Sequence, residues 1–412
     1  MIWKMYYGWW VVCACFFIAL YVSCVVFFGV TAFFEPLVRE FGWSYTQISF
    51  ATSLRGMEMG IFAPFIGFLV DRFGSRKLLF SGIVITGLGL ICLAITHSLA
   101  MFYTSFILLA FGAGGCTSVV TMTAVVSWFD KNAGKALGIM SSGFGASGLM
   151  IPLIVWLIDA YGWRTALIIL AVGAWLIGIP FSLIIRNKPD SASRDPQRSN
   201  DASPPPDTKE IRFKDAIKDR MFLFLNLVEV MRFMTLSAVV LHIMPYLSSL
   251  GISRQVGGMV AAAIPLCSII GRIGLGWLGD LFDKRIILAV GCGLMSLGMF
   301  SLCYAANQWS LYCFLIFFSP GFGGLTVLRG SIVRDYYGLT SFGKMIGILM
   351  GSASVGGIIG PTLAGWVFDT LANYYTIWLA FSVLCFAMMG TTFMMKPRHK
   401  TADADSLFPD HK

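Results

Sequence analysis

Six charged side chains interrupt long apolar stretches of the chain: Arg55, Glu58, Glu229, Arg232, Arg272 and Arg329. A charge inside hydrocarbon costs a few kcal/mol, so one that is kept there is expected to bind or move something. Four positive against two negative residues leave a surplus of positive charge, which suits an anion. A guanidinium stays charged near neutral pH and can grip a carboxylate through two parallel hydrogen bonds, which makes Arg272 the first candidate for an anchor. Its alternative is a structural pair with Glu229. Glu229 and Arg232 are three residues apart and can neutralise each other on one helix. A buried carboxylate can also change its protonation with occupancy, so Glu229 is a proton-coupling candidate. Glu58 with Arg55 is a candidate outer gate or proton site, and His242 a further proton candidate. Arg329, shortly before Arg334, either reaches to an interface or serves an inner gate.

The elements that must position these residues follow from composition. Of 412 residues 57% are hydrophobic and 12% charged, against about 45–50% and a quarter in soluble domains. An ordinary soluble fold is excluded. Forty-four glycines, 35 phenylalanines and 12 tryptophans exclude disorder, and no basic tract interleaved with aromatics points to nucleic acid. The ten cysteines lie in apolar runs without metal-ligand spacing and read as small buried side chains. No metal cluster, nucleophile elbow or phosphate loop suggests an enzyme, and no cofactor is expected. Gly143-Phe-Gly145-Ala-Ser-Gly148 fits the GxGxxG pattern but follows no strand, so it reads as close helix packing.

Apolar runs bounded by polar turns predict helical spans near 9–34, 46–70, 77–97, 102–126, 134–158 and 164–186, then near 221–247, 255–279, 285–305, 310–332, 343–367 and 373–396. Twelve spans of about 22 residues leave roughly 150 for loops and tails. The expected fold class is an all-α integral membrane protein of twelve transmembrane helices. Residues 1–186 and 221–396 form two six-helix parts; 187–220, rich in Pro, Ser and charge, is a linker, and 397–412 a tail. With both termini cytoplasmic, only Arg39, Arg164 and Arg254 of the 30 Lys and Arg fall outside; four lie in spans and 23 inside. That distribution obeys the positive-inside rule and explains the net charge of +9. At 1.5 Å rise per residue, Arg272 lies about 12 Å from Asp280, at a depth Glu229 and Arg232 can share.

The two parts repeat. Gly67-Phe-Leu-Val-Asp71-Arg72-Phe-Gly74-Ser-Arg76 is echoed by Gly276-Trp-Leu-Gly-Asp280-Leu-Phe-Asp283-Lys284-Arg285, and the same 209-residue offset pairs Gly134-Lys135 with Gly343-Lys344 and Pro152 with Pro361. A carboxylate at a helix end can pair with a neighbouring helix terminus and latch a bundle. The doubled basic loop resembles the major facilitator superfamily of secondary transporters, over essentially the whole chain.

Tyr7-Gly8-Trp9-Trp10, Trp128-Phe129-Asp130-Lys131, His242-Ile-Met-Pro245-Tyr246 and the Arg55/Glu58 pair are similar to the monocarboxylate porter branch, including bacterial members. That resemblance implies a substrate-binding arginine in the eighth span, the place of Arg272. Ser268 stands where the branch has an acidic residue one turn earlier, and Gly29 near its first-span lysine. Taken together, the candidate substrate-binding residues are Arg272, Arg232 and Ser268, with Arg55, Asp71, Arg72, Arg76, Asp280, Lys284, Arg285 and Arg329 as gating or structural candidates. The expectation is a monomeric cell-membrane transporter that moves a lactate- or pyruvate-like anion with a proton by alternating access through the lipid bilayer. An oxalate/formate-type anion exchanger and a non-transporting receptor on the same fold are the alternatives.

Overall fold

The computed structural model describes residues 6–28, 32–43, 47, 60, 62–129, 131–186, 213–371 and 373–394. Among them the secondary structure is helical throughout. In chain order the elements are α1 (Tyr7–Val22), continued as a π-helix over Ser23–Phe28, α2 (Phe34–Phe41), α3 (Ala63–Phe73), α4 (Ser75–Ala94), α5 (Leu99–Gly114), α6 (Ser118–Val126), α7 (Ala133–Ala146), α8 (Ile151–Tyr161) and α9 (Trp163–Ile184). The second set comprises α10 (Phe213–Lys218), α11 (Arg220–Ser249), α12 (Arg254–Leu281), α13 (Lys284–Leu302), α14 (Gln308–Tyr337), α15 (Phe342–Leu371) and α16 (Tyr375–Phe393).

Ten helices among the described residues are long and apolar enough to span a membrane, or eleven if the bent pair α7 and α8 counts as one. The expected span at 46–70 lies mostly outside the described residues, and α3 is its described end. Two expected spans differ in detail. The run near 102–126 is divided into α5 and α6, because Gly112, Gly114 and Gly115 weaken the helix there. The run near 134–158 passes through a 3-10 turn at Ser147–Met150, with Pro152 unable to donate in the turn that follows. A short helix, α10, also forms at the end of the expected linker.

Helix starts are set by short polar side chains that accept from otherwise unpaired N–H groups. Asp219 caps α11, Ser253 α12, Asp283 α13 and Asn307 α14. Outward faces are apolar, with Trp309 and Ile358 among the most exposed side chains, as expected of surfaces against lipid. All ten cysteines are free.

The first and second sets meet chiefly along two helix pairs, α3 on α15 and α7 on α12, with smaller contacts of α7 on α14 and of α6 on α14 and α15. Glycine makes both main contacts possible. A Cβ on Gly67 would stand 2.2 Å from the Gly343 carbonyl oxygen, and one on Gly134 would stand 2.2 Å from that of Gly276. Gly143, of the GxGxxG-like stretch, approaches α1 in the same manner, with a built Cβ 2.4 Å from Phe16 O. Gly356 and Gly360 bring α15 equally close to α11.

Candidate functional site

Four buried charges gather between α11, α12 and α14. Glu229, Arg232 and Arg329 are each 1% exposed and Arg272 5%. Glu229 Oε2 accepts from Arg232 Nε at 3.1 Å and Nη2 at 2.6 Å, and from Arg329 Nη1 at 3.4 Å. The static pairing of Glu229 with Arg232 therefore forms, and Arg329 joins it. Arg329 does not reach toward an interface: it is buried, and its Nη2 donates to Ser118 Oγ on α6 at 3.4 Å. Arg232 Nη1 donates to Thr326 Oγ1 at 3.2 Å.

Arg272 is not paired with Glu229. Its Nε donates to Ser268 Oγ, one turn back, at 3.2 Å, and its Nη1 to the Ser141 carbonyl on α7 at 3.1 Å. Both partners are neutral. Both arginines lie near the Phe322 ring, with the guanidinium carbon of Arg232 5.4 Å and that of Arg272 5.6 Å from its centroid. Among the described residues, three cations and one anion thus share a buried region, a net charge of +2. Such an arrangement attracts an anion and supplies it with preset donors.

His242, near the far end of α11, contacts the Tyr374 hydroxyl through Nδ1 at 3.1 Å and the Pro361 carbonyl through Nε2 at 3.0 Å. A carbonyl only accepts, so Nε2 carries the proton and Nδ1 accepts from Tyr374. Arg55 and Glu58 lie outside the described residues.

Two aspartates tie the helix sets together at the end rich in Lys and Arg, termed here the basic end. Asp71 accepts from the N–H groups of Gly343 and Lys344, both at 2.9 Å; Asp280 accepts from those of Gly134 and Lys135 at 2.8 and 2.7 Å. Each carboxylate thus caps a helix of the opposite set, where four N–H groups lack partners within their own helix. Asn132, the N-cap residue of α7, has φ 61° and makes no side-chain cap of its own. Around these caps Lys284 pairs with Asp335, and Arg285 with Asp283 at 2.6 Å, which holds the Asp283 carboxyl below its usual range. Arg72 lies over the Phe73 ring. Arg76 sits exposed at the start of α4.

Sequence reasoning missed Ser141, Ser118, Thr326 and Phe322. Phe322, Thr326 and Arg329 recur at helical spacing on α14, a pattern that was available. Ser141 contributes a main-chain oxygen, which no side-chain pattern announces.

A bundle of apolar helices enclosing a buried, positively charged site defines a multi-pass membrane transporter. Comparison with known proteins agrees. The family model described as Major Facilitator Superfamily matches residues 15–324 and 230–409, and the chain belongs to that family. It is a transporter by family and not an enzyme.

Among its relatives, monocarboxylate transporter 12 of Xenopus laevis is 26% identical, over 93% of this chain and 88% of that protein. Human monocarboxylate transporter 2 is 23% identical, over 90% and 82%. The uncharacterized MFS-type transporter YcxA of Bacillus subtilis (strain 168) is 23% identical, over 88% of each. The E. coli fucose:proton symporter FucP shares the fold with a TM-score of 0.72 at 15% identity, covering 95% of this chain and 100% of that one. The human organic anion transporter MFSD10 does so at 0.74 and 13%, covering 93% and 99%.

Proposed function

We propose that this protein carries a small monocarboxylate of the lactate or pyruvate kind, with a proton, across the cell membrane by alternating access. The termini are cytoplasmic in this reading, because the basic end then faces inward. One observation carries it: Arg272 is a buried guanidinium bonded only to neutral oxygens among the described residues, within a site of net charge +2. A cation held ready in this way lacks the counter-ion that an anionic cargo supplies. Relatedness to monocarboxylate transporters over most of both chains supports the cargo class.

Arg272 anchors the carboxylate, and Ser268 holds the guanidinium in place. Arg232, whose guanidinium also lies near the Phe322 ring, adds positive field. Asp71 and Asp280 close the basic end while the opposite end admits cargo. Of the groups considered for the proton, His242 has the contacts that protonation would change: a proton on Nδ1 turns it from acceptor to donor and forces the Tyr374 hydroxyl to rotate. Glu229 is already committed to two guanidiniums.

The test is uptake of labelled lactate into proteoliposomes under an inward proton gradient. Uptake that is abolished by a proton uncoupler, and lost in Arg272→Ala and Arg272→Lys, is expected. A lysine keeps the charge but not the fork, so retention in Arg272→Lys would contradict the anchoring geometry. Gradient-independent uptake that requires an internal anion would replace symport by exchange.

A further inference from the structure

The three buried cations are not equivalent. Among the described residues Arg272 has only neutral partners, whereas Arg232 and Arg329 both donate to a single oxygen of Glu229. Glu229 is a carboxylate already seated on guanidiniums, in the manner a bound acid would be. We propose that Glu229 is a built-in carboxylate that occupies the Arg232–Arg329 side of the site and so restricts the cargo to acids with one carboxylate. The proposal rests on the monocarboxylate reading above and names the residue that sets that specificity.

Geometry supports it. The guanidinium carbons of Arg232 and Arg272 lie 5.4 and 5.6 Å from the Phe322 centroid, which bounds their separation at about 11 Å. A carboxylate hydrogen-bonded to a guanidinium at the usual charge-assisted distance places its carbon about 4 Å from the guanidinium carbon. Carboxylates on facing sides of the two arginines can then approach each other to about 3 Å or less, a separation that a three- or four-carbon diacid spans. A short diacid could thus reach both arginines, and Glu229 already occupies Arg232 and Arg329.

The charges make the same point. With Glu229 present, the four groups sum to +2, and a monoanion leaves +1. Without the Glu229 charge they sum to +3, and a dianion again leaves +1. Removing the internal carboxylate and adding a second one to the cargo is electrostatically neutral for the site. A diacid entering the intact site would instead bring its second carboxylate against Glu229 in a buried region, where like charges repel strongly.

The experiment measures thermal stabilisation of the purified full chain in lipid nanodiscs by lactate, malonate and succinate, for wild type and Glu229→Gln. Lactate alone should stabilise the wild type. Glu229→Gln should bind malonate or succinate at least roughly tenfold more tightly than the wild type does, the order expected for gaining hydrogen bonds to a charged group. The double variant Glu229→Gln/Arg329→Gln, again at +2, should lose that gain. Should Glu229→Gln fold poorly alone, the same idea predicts rescue of folded yield by the diacids and not by lactate.

A folded Glu229→Gln chain without new diacid affinity, or a misfolded one that diacids do not rescue, overturns the proposal. So does a wild type that binds malonate as tightly as lactate. If lactate still stabilises the wild type in those cases, the monocarboxylate reading stands alone. A wild type indifferent to lactate removes that reading and this proposal with it.

Discussion

Breaking the aspartate caps should open the basic end, and the structure gives the size of the effect. Asp280 accepts two hydrogen bonds from the first turn of α7, and Asp71 two from the first turn of α15. Hydrogen bonds to a charged group contribute about 1.5–3 kcal/mol each when shielded. Both aspartates are partly exposed, so roughly 2 kcal/mol for each pair of bonds is a fair net value. That corresponds to about thirtyfold in the equilibrium between closed and open. Asp280→Asn replaces one acceptor by an amide that faces the N–H groups it should accept from. The assay is amide hydrogen exchange read by mass spectrometry on peptides that contain Gly134 and Lys135, or Gly343 and Lys344. Exchange at the first pair should quicken about thirtyfold in Asp280→Asn, and at the second pair about thirtyfold in Asp71→Asn. If the two helix pairs part in one event, each variant quickens both sites, and the double variant approaches the product of the two. Folded variants with unchanged exchange at all four amides would refute the reasoning.

Three further outcomes follow from single positions. Gly134→Ala and Gly67→Ala place a Cβ 2.2 Å from a facing carbonyl oxygen, so each should cost about 1–3 kcal/mol and lower the thermal midpoint while also quickening basic-end exchange. At the opposite end, Arg164 and Trp163 donate to Glu40 and hold its carboxyl below its ordinary value of 4.5. A depressed carboxyl stabilises the fold above its unfolded pKa and loses that contribution as pH falls through the folded value. The wild-type midpoint should thus drop relative to Glu40→Gln below about pH 4.5, and equal pH dependence in both would refute it. Asn132 sits at φ 61°, so Asn132→Val should cost about 1–2 kcal/mol in thermal stability, whereas Asn132→Gly should be nearly neutral.

Much of this was legible in the sequence because membranes impose simple rules. Apolar runs announced the helices, and the 209-residue offset by itself paired Asp71 with Asp280 and Gly134 with Gly343. The breaks were less legible. The division of α5 from α6 and the turn at Ser147–Met150 come from local glycine and proline inside runs that read as continuous. Within the site, helical spacing predicted that Glu229 meets Arg232. It could not say that Arg329, 100 residues away in sequence, completes the group. That contact depends on how α14 is rotated against α11, a property of packing and not of either helix alone.

The repeat also separates scaffold from chemistry. By its offset, Gly138 corresponds to Gly347 and Arg272 to Ala63. The structure keeps the backbone contact in both copies: a Cβ on Gly138 would meet the Arg272 carbonyl at 2.3 Å, and one on Gly347 the Ala63 carbonyl at 2.6 Å. The side chains do not repeat. The counterparts of Glu229, Arg232 and Arg329 are Leu20, Ser23 and Val120, so the whole charge cluster belongs to the second set of helices. Its links to the first set run through Arg329 to Ser118 on α6 and through Arg272 to the Ser141 carbonyl, the latter on the same α7–α12 pair that Asp280 latches. Parting α7 from α12 removes that carbonyl from Arg272 and leaves a buried guanidinium short of an acceptor, which is costly unless another oxygen replaces it. Under the proposed function, a cargo carboxylate on Arg272 would supply such an oxygen, and an anion would then lower the cost of opening the basic end by the differential contact a conformational change requires.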